Sequence, residues 1–365
     1  MSRPARPEPS PLSPSHGRER CGVLLVQLGT PDEPEPAAVR RYLAEFLSDP
    51  RVVEIPRALW LPVLHGVVLR TRPARSAQKY RQVWTDQGSP LLVNTRLQAS
   101  LLRGLLGEQG VEVVVDFAMR YGNPSIPAVL QGMRESGVAR LLVVPMYPQY
   151  SGTTTATACD AVFAELGRWR NQPELRTIRS FPDDEAFIDA LAGRIQARWA
   201  SEGRPDHLLM SFHGVPERTV RLGDTYRVEC ELTARLLGRR LGLADDQWTL
   251  SFQSRFGRAK WLEPYTDASL VALARRGVAH VDVTCPGFVA DCLETLEEIA
   301  MEGRDSFLAA GGKRLRYLDC PNGDPAFIRA LGALVARHLA GWPCRGAPGA
   351  APQGGPKTES DRPVA

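Results

Sequence analysis

Short apolar runs separated by amphipathic stretches set the plan of this chain. Runs rich in leucine and β-branched residues lie at Val23–Leu28, Val111–Phe117, Arg140–Pro145 and Leu175–Arg179, then at His207–Phe212, Thr249–Gln253, His280–Thr284 and Leu315–Leu318. Each has the length and composition of a β-strand. Between most of them apolar residues recur at helical spacing, as in Ala37–Leu47, Arg96–Leu106, Ala186–Ala200, Thr225–Leu241 and Ala290–Leu308. Such alternation predicts parallel sheets covered by helices on both faces. The strands fall into two groups of about four with a break near Gln172–Pro173. We therefore expect an α/β protein with two doubly wound, Rossmann-like domains, each built on a parallel four-stranded sheet. The expected boundaries are 20–172 for the N-terminal domain, 173–322 for the C-terminal domain, and 323–342 for a last helix (Pro325–His338) packing back on the first. Residues 1–19, rich in Pro, Ser and Arg, and 343–365, rich in Gly, Pro and Ala, are expected to be disordered tails.

In sheets of this kind ligands bind outside the carboxyl ends of the strands, and two facing domains place a cleft there. Each half opens with a strand running into a polar loop: Gln27–Leu28–Gly29–Thr30–Pro31 in the first, Ser211–Phe212–His213–Gly214 in the second. This hints at a duplicated fold, although no internal repeat can be aligned. The loop Gly29–Thr30–Pro31–Asp32 has a single glycine, and the chain contains neither G-x-G-x-x-G nor G-x-x-x-x-G-K-[ST]. Without glycines to admit a pyrophosphate, a nucleotide site is not expected.

Candidate chemistry sits in the second half. His213 follows the apolar run Leu208–Leu209–Met210, so it ends a buried strand and projects into the cleft loop. Downstream, the chain reads D-C-L-E-T-L-E-E from Asp291 to Glu298. On a helix Asp291, Glu294 and Glu298 share one face, with Val289, Leu293, Leu296 and Ala300 opposite. Taken alone, that strip would serve equally as a solvated face. Opposed to a histidine at a strand end, it can bind a divalent cation and accept protons.

Composition narrows the class. The chain has 365 residues, 43% of them hydrophobic, which suits a globular protein of about two domains. Its net charge of +4, from 45 basic and 41 acidic side chains, gives no reason to expect a nucleic-acid partner. No apolar stretch reaches the ~18 residues of a membrane span, and the N-terminus lacks the apolar core of a secretory signal. A cytoplasmic location is expected. The seven cysteines include no C-x-x-C pair. They are expected to be reduced and mostly packing residues. Among the histidines, His207 and His280 begin strands, His338 ends a helix, His16 lies in the N-terminal tail, and His65 lies in an apolar segment where it can touch substrate.

The run Leu208–Tyr226, L-L-M-S-F-H-G-V-P-E-R-T-V-R-L-G-D-T-Y, together with Cys285–Glu298, C-P-G-F-V-A-D-C-L-E-T-L-E-E, resembles the paired signatures of the ferrochelatase family. Other segments resemble family segments in the same order: Q-L-G-T-P-D at Gln27–Asp32, the stretch Tyr42–Val53, Gly88–Ser89–Pro90, Met119–Gly122, Y-P-Q-Y-S at Tyr147–Ser151, F-Q-S-R-F-G at Phe252–Gly257, and Pro264–Asp267. Coverage runs from about Gly22 to His338, and the likeness is strongest to proteobacterial protoporphyrin ferrochelatases. The resemblance implies a chelatase-like fold and insertion of ferrous iron into protoporphyrin IX, giving protohaem. It casts His213 and Glu294 as the iron-binding and catalytic pair. Asp291 and Glu298 become a metal path and proton relay. Tyr121, Tyr147, Trp261, Phe288, Arg120, Ser89, Gln253 and Ser254 become porphyrin neighbours, Arg120 as a candidate partner for a propionate. Ferrous iron and protoporphyrin IX are then substrates, and no permanently bound cofactor is expected. The alternatives are a related chelatase acting on coproporphyrin III or another metal and tetrapyrrole, and a non-catalytic haem or porphyrin carrier.

Two departures from the family pattern carry consequences. Relatives with a [2Fe–2S] cluster use a cysteine just after Y-P-Q-Y-S and a cysteine group near the C-terminus; here those places hold Gly152 and only Cys344, so no such cluster is expected. Cys292 stands where other branches have histidine, and it is expected to pack rather than act as a base. The family also places a lip over the cleft mouth at Ile55–Arg70, I-P-R-A-L-W-L-P-V-L-H-G-V-V-L-R. Its prolines argue against a regular continuous helix. Its apolar residues, bracketed by Arg57, Arg70 and Arg72, suit either a cover for the pocket or peripheral contact with an acidic membrane surface.

Overall fold

The computed structural model describes residues 19–257 and 259–344, so the two expected tails lie almost wholly outside the described residues. Eight strands form: β1 (Arg20–Thr30), β2 (Val113–Gly122), β3 (Val138–Pro145), β4 (Glu174–Thr177), β5 (His207–His213), β6 (Trp248–Gln253), β7 (His280–Thr284) and β8 (Arg314–Leu318). They make two four-stranded sheets, ordered β2-β1-β3-β4 and β6-β5-β7-β8. Every ladder is parallel. The two orders are one permutation used twice, which gives the hint of duplication a topological form. Burial along β1 and β5 is nearly continuous because helices cover both faces, and this is why those segments are apolar runs rather than alternating ones.

The first sheet runs further than expected. Arg140–Val143 of β3 pair in register with Glu174–Thr177, so the chain leaves that sheet after Thr177 and not at the break placed at Gln172–Pro173. Pro173 stands immediately before the edge strand, where its missing N–H costs no ladder bond. The two halves also share one apolar core: Val23 and Leu25 of β1 belong to the same buried cluster as Leu208, Met210 and Phe212 of β5. The helix Pro325–His338 helps join them, lying against both Pro90–Glu108 and Glu185–Glu202 rather than on the first half alone. Gly332 admits this approach, since a Cβ there would stand 2.7 Å from Leu105. Asp324 caps the helix by accepting from the backbone N–H groups of Ala326 and Phe327, with Pro325 at the first turn.

Two expectations about helices meet different outcomes. From Arg57 on the lip is helical but, as expected, not a regular helix: Arg57–Val63 passes through a π turn at Leu64–Val68 into Leu69–Val83, with Pro62 and Pro73 inside. Widening the turn to i→i+5 bonding accommodates what the prolines take from the regular ladder. Conversely, Ala290–Leu308 is not one helix. It begins only at Leu293, after an extended Cys292, and runs as Leu293–Leu296, a π turn at Glu298–Gly303, and Arg304–Ala309. Asp291 therefore precedes the helix and does not share a helical face with Glu294 and Glu298.

The cysteines also need correction. Cys21, at the start of β1, and Cys344, beyond the last helix, form a disulfide; they are not both reduced. The free cysteines Cys230, Cys285, Cys292 and Cys320 are buried as expected, and Cys159 is half-buried. The bridge ties the end of the described chain to the first strand, beside the backbone bond from Glu112 N–H to Cys344 O. Protein unfolded without reductant and trapped with iodoacetamide is expected to carry labels on the five free cysteines alone. Mass spectrometry finding Cys21 or Cys344 alkylated before reduction would contradict the bridge.

Candidate active site

A cavity of about 800 Å³ opens between the carboxyl ends of the two sheets, within the size range of small-molecule sites. The first half contributes Gln27–Thr30 at the end of β1, Met146 and Tyr147 after β3, and the aromatic rings of Tyr42, Phe46, Trp60 and Tyr80. The second half contributes His213–Pro216 after β5, Trp261, and Gly287–Ala290 after β7. The lining is mostly apolar, with His213, Glu294 and other polar side chains set into it, as suits a large flat hydrophobic ligand.

His213 is the last residue of β5. Its Nδ1 lies 2.6 Å from the Gly214 carbonyl, and a carbonyl only accepts, so Nδ1 carries the proton. Nε2 then keeps its lone pair for a proton or a metal. Gly214 is needed here for space: a Cβ would sit 2.8 Å from Gln253 O and 3.0 Å from the Trp261 ring. Trp261 lies beside the imidazole, with ring centroids 6.5 Å apart.

Glu294 sits in the first turn of the short helix Leu293–Leu296 and lines the same cavity. Gln253 fixes it there. The Gln253 amide donates to Glu294 O at 2.7 Å while its Oε1 accepts from Ser211 Oγ at 2.6 Å, joining β5, β6 and the acidic helix. Ser254 adopts a left-handed backbone, φ 65, that few non-glycine residues take. In that conformation both its N–H, at 2.6 Å, and its hydroxyl donate to Glu298. Burial pushes the Glu298 pKa up; Ser254 and the His213 charge pull against it, and Glu294 adds to the rise. Glu298 thus feels the charges of both His213 and Glu294. The Cys292 thiol, also on the cavity wall, is driven well above its ordinary pKa by burial and then by Glu294, so it stays neutral.

Of the porphyrin neighbours expected from sequence, Ser89, Tyr147, Trp261 and Phe288 line the cavity. Tyr147 OH and Trp261 Nε1 are buried with no partner among the described residues, leaving both free to donate to a ligand. Gln253 and Ser254 do not line the cavity; Gln253 holds the Glu294 backbone and Ser254 the Glu298 carboxylate. Arg120 and Tyr121 are engaged elsewhere. Arg120 pairs with Asp49 and donates to Thr157, and the Tyr121 hydroxyl donates to Asp49 at 2.8 Å. Burial alone would raise the Asp49 pKa, but Thr157, the Arg51 N–H, Tyr121 and Arg120 outweigh it and hold it low. The arginine is thereby committed to a buried anion and is not available to a propionate. Asp291 is likewise spent: it accepts from Tyr317 OH at 2.6 Å, Asn322 Nδ2 at 2.6 Å and Thr295 Oγ1 at 3.0 Å. It pins the start of the acidic helix to the segment after β8.

Comparison with known proteins agrees with this geometry. Residues 20–339 match the family model described as ferrochelatase. The ferrochelatase of Methylibium petroleiphilum is 57% identical over 340 residues, 93% of this chain and 94% of that one. That of Bordetella pertussis is 56% identical over 330 residues, 90% and 91% of the two chains. The chain belongs to the ferrochelatase family. Its reaction is the insertion of iron into protoporphyrin, a lyase step of haem biosynthesis. Among solved structures, SirB from Bacillus subtilis with Fe3+ superposes with a TM-score of 0.52 at 14% identity, covering 69% of this chain and 92% of its own. The sirohydrochlorin chelatase SirB of Bacillus subtilis subspecies spizizenii, in complex with cobalt, gives 0.51 at 12%, with 89% and 99% covered. At that identity the likeness establishes the chelatase fold alone.

Sequence reasoning missed several parts of this ferrochelatase cleft. Tyr42 and Tyr80 flank Glu294: burial raises both phenols, with the Glu294 charge contributing, so they remain protonated beside it. Tyr42 lay inside a family-like segment, but Tyr80 carried no signal. Arg218 pairs with Glu54 across the cleft mouth, a contact between segments 164 residues apart that no local pattern reports. The state of Glu298 is testable. Its raised pKa means the folded protein holds that proton more tightly than the unfolded chain. The resulting stability is present below the ordinary glutamate range, about pH 4.3, and is lost as pH climbs through the raised value. Glu298→Gln keeps an acceptor for the Ser254 N–H. It is expected to melt higher than the parent at about pH 8, the gap closing toward about pH 4. Calorimetry showing no gap at the higher pH would contradict a strained carboxylate.

Proposed function

We propose that ferrous iron is received by His213 and Glu294 and that His213 accepts the protons released from the macrocycle. Metallation exchanges two pyrrole N–H protons for one Fe2+, so charge balances without any change of iron oxidation state. An imidazole nitrogen is an acceptable ligand for ferrous iron, and a carboxylate neutralises charge as the ion sheds water. Proton acceptance needs a base active near neutral pH, which histidine supplies. The supporting observation is that Nδ1 is committed to Gly214 O while the ring lines the same cavity as Glu294, which leaves Nε2 as the reactive atom. Glu298, anchored by Ser254, is the next acid along and hands protons outward. The part of Asp291 is architectural.

His213→Ala is expected to lower turnover by about 10²–10⁴-fold while protoporphyrin still quenches tryptophan fluorescence on binding. Glu294→Gln is expected to lower turnover and raise the iron KM together. Turnover within a few-fold of the parent in His213→Ala would remove the histidine from the mechanism.

The lip belongs to the same proposal. Ile55, Leu59, Val63 and Val67 are exposed apolar side chains beside the cavity mouth. Trp60 is not among them: it turns inward, its Nε1 donating to Leu47 O at 2.6 Å. Among the described residues no helix is long and apolar enough to cross a membrane. A shallow contact of this face with a lipid surface would deliver a hydrophobic porphyrin directly to the cleft. Flotation with anionic vesicles is expected to carry the parent protein and to lose Leu59→Ser/Val63→Ser/Val67→Ser. Equal flotation of both would mean that the lip only covers the pocket.

A further inference from the structure

The acidic helix is gripped from outside by a single lysine. Lys79, on the helix Leu69–Val83 that continues the lip, places Nζ 2.9 Å from Glu297 and 2.9 Å from Glu302. The π turn allows this. Glu302 N–H donates to Glu297 O at 3.0 Å, an i→i+5 bond that sets the two acids side by side on one flank. The Glu297 side chain is 6% exposed and that of Glu302 is 56% exposed, so the pair spans from interior to solvent. On the same helical stretch Glu298 is held by Ser254, and Glu294 lines the cavity.

We propose that Lys79 is a built-in cation on the outer flank of the acidic helix, denying that flank to metal and leaving ferrous iron to settle at His213 and Glu294. The inference rests on iron being received by that pair. Two carboxylates close enough to share one ammonium would, without it, offer up to four oxygens to a divalent ion. A buried Glu297 charge with no partner is costly and would recruit a cation. With Lys79 in place the two acids and the ammonium carry a net charge of −1. That still attracts a cation, yet the oxygens nearest the ammonium are already occupied.

The test counts bound metal in the absence of porphyrin. Mn2+ is titrated into the parent, Lys79→Met, Lys79→Arg and Lys79→Met/Glu297→Gln/Glu302→Gln, and bound ion is read by electron paramagnetic resonance. Lys79→Met is expected to bind one additional Mn2+ per chain; the arginine variant and the triple variant are expected to match the parent. In turnover, Lys79→Met is expected to show inhibition at iron concentrations that saturate the parent. No additional ion in Lys79→Met, or the same gain in Lys79→Arg, would overturn the proposal. If Lys79→Met does not fold by circular dichroism, the count on Lys79→Gln decides in its place. Failure of the His213–Glu294 assignment would appear separately, as unchanged turnover in His213→Ala, and would leave the manganese count untouched.

Discussion

The Gln253 side chain holds the site together. One end of its amide accepts from Ser211 on β5 and the other donates to the Glu294 carbonyl, so the strand that carries His213 and the helix that carries Glu294 are set by the same group. The next residue, Ser254, repeats the device on Glu298. A metal passing between ligands on a strand and ligands on a short helix requires their spacing to be fixed within a fraction of an ångström. A helix of one turn, Leu293–Leu296, has little stability of its own. Hydrogen bonds from behind supply what its length does not.

The same logic explains where charge is buried. Asp291, Asp49 and Glu298 are each surrounded by donors, yet they do different work. Asp49 and Asp291 gather several hydrogen bonds apiece and hold loops in place. Glu298 receives fewer, and burial keeps its pKa up. A carboxylate that is fully satisfied is a poor proton carrier, because its lone pairs are already spent. One left partly unsatisfied next to an imidazole can take a proton and release it. In the proposed mechanism that distinction separates anchor from relay among acids that look alike in the chain.

Much of the fold was legible because it rests on local physics. All eight strands were visible as short runs, most plainly β1 and β5, since strands buried on both faces leave no room for polar residues. His213 was legible for the same reason, as a polar residue closing such a run. What failed were inferences that needed contacts between distant segments. Asp291 looked like a third member of a helical face because spacing alone does not reveal that Cys292 is extended. Arg120 looked free for a propionate because Asp49, its partner 71 residues earlier, gave no sign of pointing inward. The edge strand β4 was assigned to the wrong half because four residues carry too little pattern to show which neighbour they pair with. The Cys21–Cys344 bridge spans 323 residues, and no spacing rule reaches that far.

The π turns account for the remaining misjudgement and tie the lip to the chemistry. A regular α-helix through Glu298–Gly303 would not bring Glu297 and Glu302 together, since residues five apart do not face one another at 3.6 residues per turn. Widening the turn brings them together and lets one lysine from the lip helix reach both. The lip in turn bends through its own π turn at Leu64–Val68, leaving Leu64 and Leu69 packed inward while Val63 and Val67 stay outside. The apolar rim of the cleft and the acidic helix are therefore joined through Lys79.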